Sequence, residues 1–160
     1  MKQIRILVLA AFLSACGGQP QAETSPTPRT SPSVSSSEQG GATPAEALQR
    51  FLESIQRQDI QATQLVWGTS RGSVLSSDIP RVEQEKRIII MQCYLAHDSY
   101  RVLNDAPGDD GRRMFQVEFS NRNRVRSTSM TLVRGPRDRW YVESAALEPV
   151  QDFCRNPPSE

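Results

Sequence analysis

Met114-Phe115-Gln116-Val117-Glu118-Phe119-Ser120 alternates apolar and polar side chains from Phe115 onward. Successive side chains of an extended chain point to opposite faces, so Phe115, Val117 and Phe119 share one face and Gln116 and Glu118 the other. A strand of this kind sets one face on a core and leaves the other to solvent or a pocket, as antiparallel sheets do. Downstream, residues 126–134 repeat the pattern with Thr128, Met130 and Leu132, and residues 139–147 repeat it with Trp140 and Val142. Upstream, 100–103 can extend. Turn chemistry separates these runs: Pro107-Gly108-Asp109-Asp110-Gly111 before the quoted stretch and Gly135-Pro136-Arg137-Asp138 before the last. The polar run Asn121-Arg122-Asn123-Arg124-Val125-Arg126 reads as a hairpin turn entering a strand, with an anionic partner as the lesser reading.

The half before these strands changes period. Thr43-Pro44-Ala45-Glu46 combines a capping Thr, Pro at the first helical position and Glu at the third, a capping box. Ala45, Leu48, Phe51, Leu52 and Ile55 then recur at helical spacing. A polar break at Gln58-Asp59 leads into a short second helix through Leu65, Val66 and Trp67, closed by Gly68. Thr69 to Ser77 is a loop with an extended piece near Val74-Leu75. Asp78 is the expected cap of a third helix running from about Pro80 to Ala96, with Val82, Ile89 and Cys93 on one face, Ile88, Met91 and Leu95 beside them, and a deeply buried second half. Helices followed by hairpins predict an α+β fold, with N-terminal helices packed on a curved antiparallel sheet of three to five strands.

The chain is short and electrically balanced, which narrows its function classes. Its formal net charge is +1, and residues 43–160 hold sixteen basic and sixteen acidic side chains. There is no electrostatic footprint for nucleic acid. A single histidine, His97, and the absence of paired-cysteine or paired-histidine spacing argue against a metal, and no phosphate-binding loop implies a nucleotide cofactor. No cofactor is expected.

The chain begins with Lys2 and Arg5, an apolar run over residues 6–13, and small residues leading to a cysteine. This is a secretory signal peptide over 1–15, too short to span a bilayer stably. Its ending, Leu13-Ser14-Ala15-Cys16, resembles the lipobox of bacterial lipoproteins. That resemblance implies acylation of Cys16, cleavage before it, and a membrane anchor in the cell envelope. Gly17 after the cysteine favours the outer membrane facing the periplasm, if two membranes are present. Residues 16–42 then form a Ser/Thr/Pro/Gly spacer without enough apolar surface to fold. As a flexible chain it reaches about 25–30 Å from the anchor. The remaining residues, 43–160, form one domain.

With Cys16 assigned to lipid, Cys93 and Cys154 remain as an even pair in an exported chain. A structural disulfide is the first reading, two buried thiols the second; the spacing does not fit a redox motif.

The order of elements carries a second resemblance. The helix from Thr43-Pro44-Ala45-Glu46-Ala47-Leu48 through Phe51-Leu52 to Asp59, and the closing Arg137-Asp138-Arg139-Trp140-Tyr141-Val142, resemble small bacterial lipoproteins of the cystatin-like, nuclear transport factor 2-like superfamily. The resemblance implies a cone of helices and sheet that members use for catalysis, ligand binding or dimerisation. It offers Tyr94, Asp98, Glu118 and Trp140 as candidate ligand-binding residues, with no catalytic residue matched. The aromatic set Trp67, Tyr94, Phe115, Phe119 and Trp140 reads as core before cavity. The sheet face of Gln116, Glu118, Ser129, Thr131, Tyr141 and Glu143 is a candidate dimer or partner surface. His97-Asp98 reads as a surface helix end. Gly68-Thr69-Ser70-Arg71-Gly72 matches a nucleophile-elbow pattern, but lacks the strand–turn–helix context that chemistry needs. The expected function is a non-catalytic envelope domain that binds a partner protein or small ligand. The alternative is a cofactor-free isomerase or dehydratase acting in the cone.

Overall fold

The structure, a computed structural model, describes residues 38–155. The leader, Cys16 and the spacer up to residue 37 lie outside the described residues.

Helix α1 (Pro44–Gln56) starts as its sequence predicts. Thr43 Oγ1 accepts from Glu46 N at 3.1 Å, and the Glu46 carboxylate accepts from Ala42 N at 2.8 Å. Two otherwise orphaned amides at the helix entrance are thereby satisfied. The helix buries Ala47, Leu48, Phe51, Leu52 and Ile55. Helix α2 (Ile60–Val66) is capped by Asp59, which accepts from Ala62 N at 2.9 Å. The buried hydroxyls of Ser54 and Thr63, 2.9 Å apart, tie the two helices together.

A small hairpin follows, β1 (Gly68–Thr69) and β2 (Gly72–Ser73), where a loop is expected. A 3-10 turn over Val74–Ser76 takes the place of the expected extended piece. Helix α3 (Arg81–Tyr94) forms, but Asp78 does not cap it: Pro80 occupies the cap without a side-chain hydrogen bond. Its buried stripe is Gln84, Ile88, Gln92 and the adjoining Leu95: Ile88 and Leu95 are buried and Met91 half-buried, whereas Val82, Ile89 and Cys93 turn outward. Val82, Ile89 and Ile90 are 64%, 54% and 52% exposed, so the second half is not deeply buried. The reason is the Gln84 amide, which donates to Val74 O and Ile79 O while Gln64 donates to its oxygen. Those bonds turn the polar stripe inward to hold the 74–80 loop.

The sheet is an antiparallel meander, β3 (Ser99–Pro107), β4 (Arg113–Asn121), β5 (Arg124–Arg134) and β6 (Trp140–Ala145), in chain order. Register puts Phe115, Val117, Phe119, Thr128, Met130, Leu132 and Val142 on the face that α1 and α2 cover. The fold is α+β, helices on one face of an antiparallel sheet. Beyond β6 the chain turns through Glu148–Val150 into a short helix, α4 (Gln151–Arg155), which sequence periodicity does not reveal. Val150 and Phe153 close the core, and a disulfide joins Cys93 to Cys154.

The domain starts earlier than residue 43. Gly41 and Trp140 exchange backbone hydrogen bonds of 2.9 and 2.8 Å, Gly40 N reaches Leu65 O at 2.8 Å, and Arg139 donates to the carbonyls of Gln39 and Gly40. A Cβ on Gly41 would lie 2.3 Å from Ala47 N, so only glycine permits this approach. The same segment covers Tyr141, expected on the solvated sheet face but only 1% exposed, whose ring lies against Gly40 and Gly135. Gln116, Glu118, Ser129, Thr131 and Glu143 are half-buried.

Candidate functional site

The local geometry of the β1–β2 hairpin creates a cleft. A Cβ on Gly68 would sit 2.2 Å from Gly72 O, so the two short strands close tightly against each other. Trp67, in a parallel bridge with Val142, holds the hairpin beside β6. The 74–80 loop, pinned by Gln84, forms the opposite wall. Between them lies a cavity of about 510 Å³ lined by Trp67, Val74, Ile79 and Pro80, with Glu83 and Glu143 at its polar margin.

Both carboxylates are held by arginines. Glu83 accepts from Arg87 at 3.1 Å, and Glu143 takes a two-pronged grip from Arg112 at 2.6 and 3.2 Å. The hydrogen bonds to Glu143, together with its charge, hold the Arg112 guanidinium above its ordinary pKa. Ser73, also in the wall, has a buried hydroxyl with no hydrogen-bond partner among the described residues. An orphaned buried hydroxyl beside an indole and aliphatic side chains, with Arg71 and Asp78 also in the lining, suits a compact ligand with an apolar body and polar groups at its edge. No spare charge is offered by either glutamate.

The four candidate residues from the sequence do not converge. Tyr94 and Trp140 pack half-buried against the core. Asp98 is exposed and accepts from Arg122 N at 2.6 Å, closing the β4–β5 turn. Glu118 faces away from the core and pairs with Arg101 at 2.8 Å. Phe115 and Phe119 are core, and of the aromatic set Trp67 lines the cleft. Ser70 sits exposed in the hairpin turn, without the strand–turn–helix geometry of a nucleophile elbow.

His97 departs from its expected surface position: it is 7% exposed, against Phe119 and edge-on to Tyr100. Nδ1 lies 2.8 Å from Leu95 O, so that nitrogen carries the proton and Nε2 is left bare and unpartnered among the described residues. Burial pushes its pKa below the ordinary value.

The cleft residues Ser73, Ile79, Glu83 and Glu143 carry no signature in the sequence beyond the closely spaced glycines at 68 and 72. Among the described residues, no group of three or more acidic, His or Cys side chains is placed to hold a metal. No described helix is long and apolar enough to cross a membrane. No protein-family model, curated protein or solved structure matches the chain.

Proposed function

We propose that the chain is a lipoprotein of the bacterial cell envelope, anchored through acylated Cys16, whose cystatin-like domain binds a small ligand without catalysis. The anchoring rests on Leu13-Ser14-Ala15-Cys16 after an apolar run. The order of three helices, then a four-stranded meander, supports the cystatin-like reading.

The binding reading is carried by one observation, the cleft of about 510 Å³ with Trp67 in its wall and the orphaned Ser73 hydroxyl beside it. A catalytic cone would need an ionisable group within hydrogen-bond reach of a tyrosine or second acid. Here Asp98 is engaged by the β4–β5 turn and Glu118 by Arg101. These engagements favour binding over the isomerase or dehydratase alternative.

Native mass spectrometry of the mature chain, isolated from its own envelope, is the test. A mass excess lost on denaturation is expected, and Ile79→Arg, which fills the cleft from its half-buried wall, should abolish it. A bare chain, or an adduct indifferent to Ile79→Arg, sinks the cleft as a ligand site.

A further inference from the structure

At the opposite end of α3 from the cleft lies a groove of about 550 Å³, between α3, the β4–β5 turn and α4. Its apolar lining is Ile89, Ala96 and Phe153, and its polar lining includes Gln92, Asn123, Arg122 and Arg124. It shares no lining residue with the Trp67 cleft. We infer that this groove docks an extended segment of a partner protein in which an apolar side chain is followed by acidic groups.

Charge complementarity selects the acid. The Arg122 guanidinium makes no ion pair among the described residues, although its backbone N–H holds Asp98. Asp152, the nearest acid on α4, is already taken: its carboxylate by Arg126 at 2.8 Å and its carbonyl by Arg124 at 2.7 Å. The guanidinium of Arg122 is therefore available to grip a carboxylate with paired N–H donors.

The amides select an extended backbone. Gln92 is 9% exposed, and its Nε2 has no hydrogen-bond partner among the described residues. Gln58 and Asn123 line the same groove, and each amide offers both a donor and an acceptor, the complement of a peptide unit, while the Asn121 amide donates to Ala96 O at 2.8 Å and fixes the groove floor. An apolar side chain finds Ile89, 54% exposed, in the groove wall with Ala96 and Phe153. The α4 wall is tied to α3 by the Cys93–Cys154 disulfide, so the groove is preformed and little ordering is needed on binding. A concave, amide-lined surface suits a peptide better than a bilayer, which calls for a convex basic and apolar face.

The test is fluorescence anisotropy on the mature chain, purified without reductant. The probe is a labelled peptide in which a pair of phenylalanines precedes a run of glutamates. Saturable binding is expected, with Arg122→Glu and Ile89→Asp each weakening it about tenfold or more, the loss expected for one charge-assisted contact or one apolar anchor. Both side chains are exposed, so the variants should unfold at the parent denaturant midpoint; Arg81→Glu, at the other end of α3, should bind as the parent does. Bound peptide should also shift the Gln92 side-chain amide resonance. No binding, equal binding of a peptide with lysines for glutamates, or indifference to both variants overturns the proposal. So does preferential retention on phosphatidylglycerol vesicles, which would make this a membrane-facing patch. None of these failures touches the Trp67 cleft.

Discussion

His97 shows how far a single residue's role depends on its surroundings. Its Nδ1–H is spent on Leu95 O, so protonating Nε2 would put a buried charge where no partner among the described residues receives it. Burial lowers the folded-state pKa below 6.5, and the unfolded chain binds the proton more readily. The stability this contributes is full above the unfolded value and declines as pH falls below it and through the folded value. Urea midpoints at about pH 8 and about pH 5 should therefore differ in favour of the higher pH, and His97→Leu should narrow that difference. Gly68 supplies a steric prediction. With Gly72 O 2.2 Å from its virtual Cβ, Gly68→Ala forces the hairpin apart. It should cost about 1–3 kcal/mol in urea unfolding, an overpacking penalty, and weaken ligand retention in the cleft. Thr43 and Glu46 are legible from sequence because a cap acts within a few residues of itself. The burial of His97 is not, because Phe119 arrives from a strand that folds over it.

Elements were legible where one periodicity dominates. The alternation through Phe115, Val117 and Phe119 predicts β4 and its buried face, since a strand's two faces leave no third choice. In α3 the apolar residues nearly encircle the helix, so periodicity does not say which stripe turns inward. Gln84 decides it through hydrogen bonds to a loop whose position no local pattern reveals. The short α4 is likewise invisible, being held by Phe153 in the core and by the disulfide. Cys93 and Cys154 stand 61 residues apart, and closing such a loop stabilises by up to about 4 kcal/mol in the chain-entropy account. Replacing both cysteines by serine should lower the unfolding free energy by an amount within that bound. It should also raise amide exchange first in α4 and the β4–β5 turn, and an unchanged midpoint with unchanged exchange would show that the bridge holds nothing in place.

For the whole molecule, composition sets the proposed tether apart from the domain, though not at the residue where the fold begins. Cys16→Ser should abolish metabolic labelling with a palmitate analogue and move the chain from membrane to soluble fractions; retention of label would place the acyl chain elsewhere. The spacer ends sooner than its composition implies. Gly40 and Gly41 look like linker, yet they pair with Leu65 and Trp140 and cover Tyr141, residues distant in the chain. The sequence by itself determined the class of the fold, the buried face of β4, the first helix's cap, the pairing expected of Cys93 with Cys154, and the expectation of an acylated N-terminus. Each depends on local periodicity, local hydrogen bonding or a short motif, except the cysteine pairing, which depends on an even count in a chain expected to be exported. The tertiary structure alone decided which stripe of α3 is buried, where the domain begins, and that the cleft and the groove exist at all. Cavities form where separate elements fail to touch, and that gap is set by long-range packing.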